Sequence, residues 1–466
     1  MSSNTASSGV RKRIVVDEYG ASYECLAMIG EGGQGKVWKT NHQNTLVKTF
    51  SIRDEKKRAD WLAQIKRVLR QDLDALSIAR PQAIVVKPLP GYVMELMDGL
   101  HSLQEEMESS FAALVEGDGL KGYLQTGGLK RRLHILRGLA DTLSQLHARG
   151  LAYGDLSPNN IFVSKEVSQS RVWLIDADNI SVNERQGDEH LYSPGYGAPE
   201  VVRGDSGINS LTDAWSFAVI AYSLLTLQHP FTTGIRVQDG EPEIEEAALL
   251  GELPWVNDSN DDSNSATGGI PIDLIARSGL RELFKRCFED GKNNSWERPT
   301  LSEWRSVLNH AVSMIQNCTN PECMSTHYKS DTCPFCGEST DPNNFVQLAG
   351  LIFSTDKDLE SPLLKTDRGL LANKHEVVSL RRVPAGSVTF DDSPEVCQVR
   401  LDDEGLGIRV TPGQRVLVVY SGRQKEITKG IKLSNGDKKG IRYDLHILNP
   451  DGLAESETHP VWAFRW

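Results

Sequence analysis

Residues 153–163 read YGDLSPNNIFV, a short polar loop that runs straight into an apolar strand. Asp155 and Asn160 stand five residues apart in it. That spacing lets one loop aim a carboxylate at an acceptor hydroxyl and an amide at a metal ion, although an Asp and an Asn around a proline are otherwise routine turn formers. The next segment separates the two readings. Sixteen residues after Asn160, the stretch VWLIDAD (172–178) ends a second apolar strand in Asp176, well placed as a principal magnesium ligand, though taken alone it would be a strand-end acid.

Moving a phosphoryl group from ATP takes a pliable cover over the phosphates, a lysine to hold them, ligands for magnesium, and a carboxylate facing the acceptor. The chain offers each in order. Upstream, GEGGQGKV (30–37) places Gly30, Gly32 and Gly35 where backbone amides can approach phosphates, with Val37 to pack on an adenine. Alone, the octamer would read as an ordinary turn, because glycine clusters mark turns far more often than nucleotide sites. Tyr23 to Ile29 before it, and Lys36 to Lys39 and Thr45 to Phe50 after it, pattern as strands. The loop therefore joins a hairpin, which is not the strand-loop-helix setting of a dinucleotide fold. Lys48, in TLVKTF (45–50), lies on a strand from which an ammonium can reach the α- and β-phosphates; a solvated strand lysine is the plain alternative. Downstream, Ala198-Pro199-Glu200, then Asp213 in DAWSFAV, then Arg298 in ERPT complete the series.

With these motifs in this order over residues 14 to 312, the chain resembles a protein kinase of the eukaryotic-like (Hanks) type. The resemblance implies an α+β, bilobal kinase-like fold in which Gly30, Gly32, Gly35 and Lys48 bind ATP, Asp155 is the catalytic base, and Asn160 and Asp176 hold magnesium. It further implies a buried ion pair between Glu200 and Arg298, a bracing role for Asp213 under the catalytic loop, Met94 as gatekeeper, and Glu95 to Met97 as the adenine hinge. Ser193, in YSPGYGAPE, stands where serine/threonine kinases usually carry a threonine, so protein serines and threonines are the implied acceptors; a turn residue before Pro194 is the alternative. Among bacterial sequences the chain is similar to kinases followed by a zinc ribbon, encoded beside a metal-dependent phosphatase and a von Willebrand-type protein in tellurite-resistance-like operons. That likeness implies those two proteins as partners.

Four positions depart from the family pattern. Tyr153-Gly154 replaces His-Arg before the catalytic Asp, which leaves no arginine there for a phosphorylated activation loop to neutralise. Ser157 stands where a lysine would touch the γ-phosphate. Asp178 replaces the glycine of the DFG motif, either restricting that hinge or adding a carboxylate near the metal. Finally, the helix expected over Glu55 to Leu76 has no interior Glu to pair with Lys48, and Glu55, Asp60, Gln64, Asp72 and Asp74 all remain candidates. Because the base and both metal ligands are retained, catalysis is preferred to an ATP-binding pseudokinase scaffold. A small-molecule phosphotransferase is the third reading, since the lysine-free GDLSPNN loop also resembles aminoglycoside and choline kinases; those generally lack the Ala198-Pro199-Glu200 segment and its Arg298 partner.

CTNPEC (318–323) and CPFC (333–336) place Cys318, Cys323, Cys333 and Cys336 as two knuckles able to hold zinc tetrahedrally, and so short a segment with few apolar residues needs the metal to fold. His327 between them is an alternative ligand, an exposed loop histidine being preferred. Between Asn309 and Asn344 the only Lys or Arg is Lys329, against Glu322, Asp331, Glu338 and Asp341. A nucleic-acid-binding stripe is thereby disfavoured. Cys25, Cys287 and Cys397 lie in or beside apolar segments and read as buried bystanders.

The remaining features set the class. A net charge of -12 over 466 residues, with 39% hydrophobic content, suits a multidomain globular protein and not one that coats nucleic acid or an anionic membrane. The polar opening MSSNTASSGVRKR (1–13) has no apolar run behind its basic cluster and reads as a disordered tail, and Ala214 to Leu227 is too short to span a bilayer. A cytoplasmic protein follows. The expected order is an N-lobe (14–97) with one helix on a small antiparallel sheet, a helical C-lobe (98–312), a zinc ribbon (313–345), a linker (346–374) and a small all-β domain (375–466). In that last domain Asn435-Gly436 signals a hairpin, and Trp462, Phe464 and Trp466 are either buried or a partner surface, with burial preferred.

Overall fold

The computed structural model describes residues 13–32, 35–50, 54–95, 97–117, 119–182, 192–238, 240–356, 360–382, 394–448 and 458–466. The expected tail, except Arg13, lies outside the described residues, as do Gly33 and Gln34 at the glycine-loop tip and Leu96 of the hinge.

Six strands open the chain: β1 (Arg13–Asp17), β2 (Ser22–Gly32), β3 (Gly35–Thr40), β4 (Thr45–Thr49), β5 (Pro81–Lys87) and β6 (Gly91–Glu95). They lie in the order β1-β2-β3-β4-β6-β5, all antiparallel, and β1 pairs with β5 through Val16 and Lys87, so the sheet closes into a barrel. A single helix, α1 (Glu55–Val68), is capped by Asp54, whose side chain accepts the Lys57 N–H. It ends at Val68 and not at Leu76 as the apolar period predicted. Leu73 and Leu76 are buried all the same, but they reach the core of the large lobe from a turn in which Ala75 adopts φ +63°.

Among the helices of the second lobe, besides Leu103–Val115, are α2 (Gly128–Ala148), α3 (Ser210–Thr226) and α4 (Leu301–Ser313). Every residue of α3 from Thr212 to Thr226 is buried, which is why its sequence is apolar all round. Both α3 and α4 start with capping boxes, Asn209 with Thr212 and Thr300 with Glu303. Against this block sits a three-stranded antiparallel sheet of Leu100–Ser102, Ile161–Ser164 and Val172–Leu174; the loop that holds Asp155 leads into its second strand and Asp176 follows its third. No helix among the described residues is long and apolar enough to cross a membrane.

Past α4, Ile315–Asn317 pairs with Thr326–Tyr328 under the cysteine knuckles. The remainder is two antiparallel sheets sharing one core. The six-stranded sheet runs, in spatial order, Leu363–Asn373, Phe345–Ser354, Thr458–Arg465, Arg442–Ile447, Val416–Tyr420 and Arg423–Ile427. The four-stranded sheet runs Val377–Arg381, Glu395–Asp402, Gly405–Val410 and Gly430–Ser434. Two expectations are corrected here. Residues 346–374 are no linker, because Phe345–Ser354 pairs with both the chain's last strand and Leu363–Asn373 and so supplies the middle of a sheet. Asn435-Gly436 does not close a hairpin either: the strand before it pairs with Gly405–Val410, the strand after it belongs to the other sheet, and the turn is a crossover. Trp462, Phe464 and Trp466 are buried in the shared core.

Candidate active site

Lys48 sits on β4 opposite Val37 of β3 and Tyr92 of β6. Its side chain is buried and runs past the Phe50 and Tyr92 rings, 5.2 and 6.0 Å from the ammonium. Gly91 must lack a side chain for this to occur, since a Cβ there would overlap the Lys48 carbonyl. Gly35 is constrained similarly: a Cβ would stand 2.5 Å from the Thr49 carbonyl oxygen, so β3–β4 packing alone demands glycine at that position, nucleotide or not. Gly30 and Gly32 belong to β2, with Gly30 opposite Val37 and Gly32 opposite Gly35. Val37 packs half-buried on the cluster of Leu46, Phe50, Ile65, Tyr92 and Met94. Met94 is buried, Glu95 exposed and Met97 half-buried.

The Lys48 ammonium lies 2.5 Å from Asp176 Oδ1 and 3.2 Å from Asp178 Oδ2. Burial pulls its pKa down, but the carboxylates of Asp178 and Asp176 outweigh burial and hold it above the ordinary lysine value. None of Glu55, Asp60, Gln64, Asp72 and Asp74 pairs with it. Glu55 faces Arg58, Asp74 faces Arg80, and Asp60 and Asp72 are exposed. Gln64 is the one buried polar residue of α1, and its amide donates to the carbonyls of Asp178 (3.2 Å) and Ile180 (2.7 Å).

The loop from Tyr153 to Asn160 is fastened from three sides. Asp213 of α3 accepts the N–H groups of Tyr153 (2.6 Å) and Gly154 (3.0 Å) and faces His147 Nε2 at 3.0 Å. The Tyr153 hydroxyl, buried and with its pKa driven far up by burial and the neighbouring Asp176 and Asp155, donates to the Ile175 carbonyl. Asn160 completes the tie: its carbonyl accepts the Ile175 N–H (2.9 Å), and its amide donates to Asp155 O (2.9 Å) and Asp155 Oδ2 (3.3 Å). Asp155 thus shares one loop with Asn160, and Asn160 is bonded to the residue that precedes Asp176. Asp176 itself takes φ +60°, the left-handed region, which turns the chain sharply at the end of its strand. Ser193 Oγ donates to the other Asp155 oxygen at 2.8 Å. Ser157 is buried and its hydroxyl has no partner among the described residues.

Glu200 and Arg298 form a bidentate pair with both N–O distances at 2.7 Å; the guanidinium also donates to Gly291 O (2.8 Å) and stacks on Trp215 at 4.9 Å. A kinase-domain model, described as protein kinase domain, matches residues 23–312, well over half of the chain. The chain belongs to the protein kinase domain family. Similar proteins include the serine/threonine-protein kinase PknD of Chlamydia abortus, 26% identical over 45% of this chain and 24% of that protein. The serine/threonine-protein kinase PkaA of Streptomyces coelicolor is 22% identical over 46% of this chain and 40% of its own length, and the mouse serine/threonine-protein kinase H1 is 27% identical over 52% and 54%. The kinase-domain chain thus spans between about a quarter and about half the length of these curated relatives.

Outside the kinase domain, the sulfur atoms of Cys318, Cys323, Cys333 and Cys336 all lie within 4.8 Å of one another. His327 takes no part. It is buried, not exposed as expected, because the ribbon packs on the large lobe: Thr326 Oγ1 accepts the Lys130 N–H, and the Tyr328 hydroxyl donates to Ile275 O. Cys287 and Cys397 are fully buried and Cys25 partly so. The site residue that pattern reading missed is Asp178 as partner of Lys48. Its signal was present in two separate departures, an acid missing from the helix and an acid added after Asp176.

Proposed function

We propose that this chain transfers the γ-phosphoryl group of ATP to serine or threonine hydroxyls of proteins, its own included. One observation carries the reading: Asp155, Asn160 and Asp176 are held side by side through Asn160, with the Lys48 ammonium 2.5 Å from Asp176. Asp155 is positioned to take the acceptor's proton, with Oδ1 held by Ser193 and Oδ2 by Asn160. Lys48 and the β2–β3 hairpin are assigned to the phosphates, Val37, Glu95 and Met97 to the adenine. Asn160 and Asp176 fit magnesium, because the Asn160 nitrogen is occupied by Asp155 and its amide oxygen is the atom left for a cation. Magnesium supplies charge neutralisation on the phosphates when bound. The Ser193–Asp155 bond supports hydroxyl acceptors of the serine/threonine type.

The four thiolates fit zinc. A tetrahedron of Zn–S bonds has sulfur-to-sulfur edges of about 3.8 Å, and Cys318–Cys336 and Cys323–Cys333 stand 3.5 and 3.9 Å apart. With four protein ligands such a site is structural, which supports a zinc ribbon between the kinase domain and the β-sandwich. The bacterial likeness supports a cytoplasmic setting with a cognate phosphatase and a von Willebrand-type protein as partners, testable by co-purification.

The test is transfer of labelled phosphate from ATP and magnesium to a generic protein acceptor and to the chain itself, followed by phosphoamino-acid analysis. Wild-type protein labels serine or threonine, and Asp155→Ala loses roughly 10²–10⁴-fold in rate while still gaining thermal stability from ATP. Equal labelling by the two proteins refutes the assignment.

A further inference from the structure

Protein kinases orient their phosphate-binding lysine by an ion pair with a glutamate on the N-lobe helix, and that pair must be in place for activity. Here α1 offers no carboxylate at the spot. Its only buried polar side chain is Gln64, an uncharged amide already committed to two backbone carbonyls. The second carboxylate on Lys48 comes instead from Asp178, 3% exposed, with both oxygens turned to the ammonium at 3.2 and 3.4 Å.

We propose that Asp178 is the positioning partner of Lys48, moved from the helix to the metal-binding segment, and that Gln64 is its matching residue. The assignment rests on the reading that Lys48 holds ATP phosphates. Its logic is charge and donor matching. A glutamate at position 64 would set a carboxylate against the Asp178 and Ile180 carbonyls, whereas the Gln64 amide donates to both. A glycine at position 178 would leave Lys48 with Asp176 alone, so the ammonium would compete with magnesium for the same oxygens. Gln64 thus serves the 178–180 backbone as a donor, and Asp178 serves Lys48 as a carboxylate. A consequence is that a shift of α1 would unhook the Gln64 amide from residues 178–180 without removing the carboxylate from Lys48.

The test is a cycle of Asp178→Asn, Asp178→Gly, Asp178→Glu, Gln64→Glu and the double exchange Gln64→Glu/Asp178→Gly in the full chain, reading KM for ATP, kcat, and binding of ATP by thermal shift. Asp178→Asn, which keeps shape and removes charge, is expected to raise KM for ATP about tenfold, with a smaller change in kcat. Asp178→Gly and Gln64→Glu should do at least as much, and the double exchange should recover nothing, because the carbonyls of residues 178 and 180 still face the new carboxylate. Asp178→Glu, which keeps a carboxylate, should stay nearer the wild-type KM, and with Asp178→Gly it carries the test if Asp178→Asn does not fold. Wild-type KM in Asp178→Asn or Asp178→Gly, or an Asp178→Glu no better than Asp178→Asn, overturns the assignment. So does an effect confined to the magnesium requirement, which would make Asp178 a metal ligand. Wild-type protein that neither binds nor turns over ATP overturns the kinase reading itself, and this proposal with it.

Discussion

Replacing Arg298 by methionine is expected to be among the most damaging single changes in the kinase domain. The guanidinium is completely inaccessible and gives Glu200 two bonds of 2.7 Å; it also satisfies Gly291 O at 2.8 Å and Leu211 O at 3.2 Å. Methionine fills much of the volume but strips the Glu200 carboxylate and the Gly291 carbonyl of these donors, while Leu211 O keeps its helical partner. Breaking a buried pair from one side costs about 3–5 kcal/mol, and since the Glu200 side chain keeps 15% exposure, water relieves part of it and the lower end is expected. For a domain of this size that corresponds to a Tm lower by roughly 6–12 °C. Urea unfolding followed by far-UV circular dichroism measures it, with two controls. The double change Glu200→Met/Arg298→Met should lie nearer wild type than the single, because no charge is then stranded. Arg415→Met should be indistinguishable from wild type: its pair with Glu426 is equally short, at 2.7 and 2.8 Å, but open to solvent. A loss below about 1 kcal/mol for Arg298→Met, or a double change worse than the single, would show that burial is not what gives this pair its weight.

Two further outcomes follow from the site and the lobes. Stripping metal with a strong chelator, or Cys318→Ser, is expected to release about one zinc per chain and to unfold the ribbon; metal analysis showing no zinc in protein purified without chelator would refute the reading. His229 predicts an acid-labile large lobe: Nδ1 accepts the N–H groups of Phe231 and Thr232 and Nε2 donates to Gly195 O, so the ring is neutral, and burial lowers its pKa to about 4 against the opposing Gly195 bond. A folded value below the unfolded 6.5 means the unfolded chain protonates first, so this stability is complete above pH 6.5 and drains away down to about pH 4. Between pH 7 and 5 the loss is about 2 kcal/mol, and His229→Gln should flatten that slope in parallel urea titrations; an unchanged slope would refute it.

How much of this was legible in the chain depends on whether the deciding interaction is local. Asp155 and Asn160 lie in one loop, and their spacing alone makes the bond between them feasible. Lys48 was readable as an inward strand residue because β4 is short and apolar around it. The failures share a cause. The alternation of FVQLAGLIFS (345–354) is broken where pairing shifts register between Ala349 and Leu351, so a central strand passed for a linker. Asn435-Gly436 correctly announced a turn, but which sheet the next strand joins is decided by its partners Val416–Tyr420 and Thr458–Arg465, not by the turn. Leu73 and Leu76 kept the helical period after the helix had stopped, because the period reports burial and both are buried. His327 looked exposed because nothing in the ribbon itself announces that the large lobe covers it.

The same distinction explains why Gln64 and Asp178 look like decay when read singly. Judged against a family pattern, one position has lost an acid and the other has lost a glycine, and both losses point toward a crippled enzyme. Their contacts span more than a hundred residues of chain, from the Gln64 amide to the Asp178 carbonyl and from Lys48 to the Asp178 carboxylate. On the proposed reading, they keep one lysine opposed by one carboxylate besides Asp176, and they replace an ionic tie between helix and lysine by a neutral tie between helix and residues 178–180. Charge balance at a buried ammonium is a property of the set of groups around it, not of any one position. A chain can therefore move an acid from one element to another without losing the site, provided the residue left behind becomes a donor.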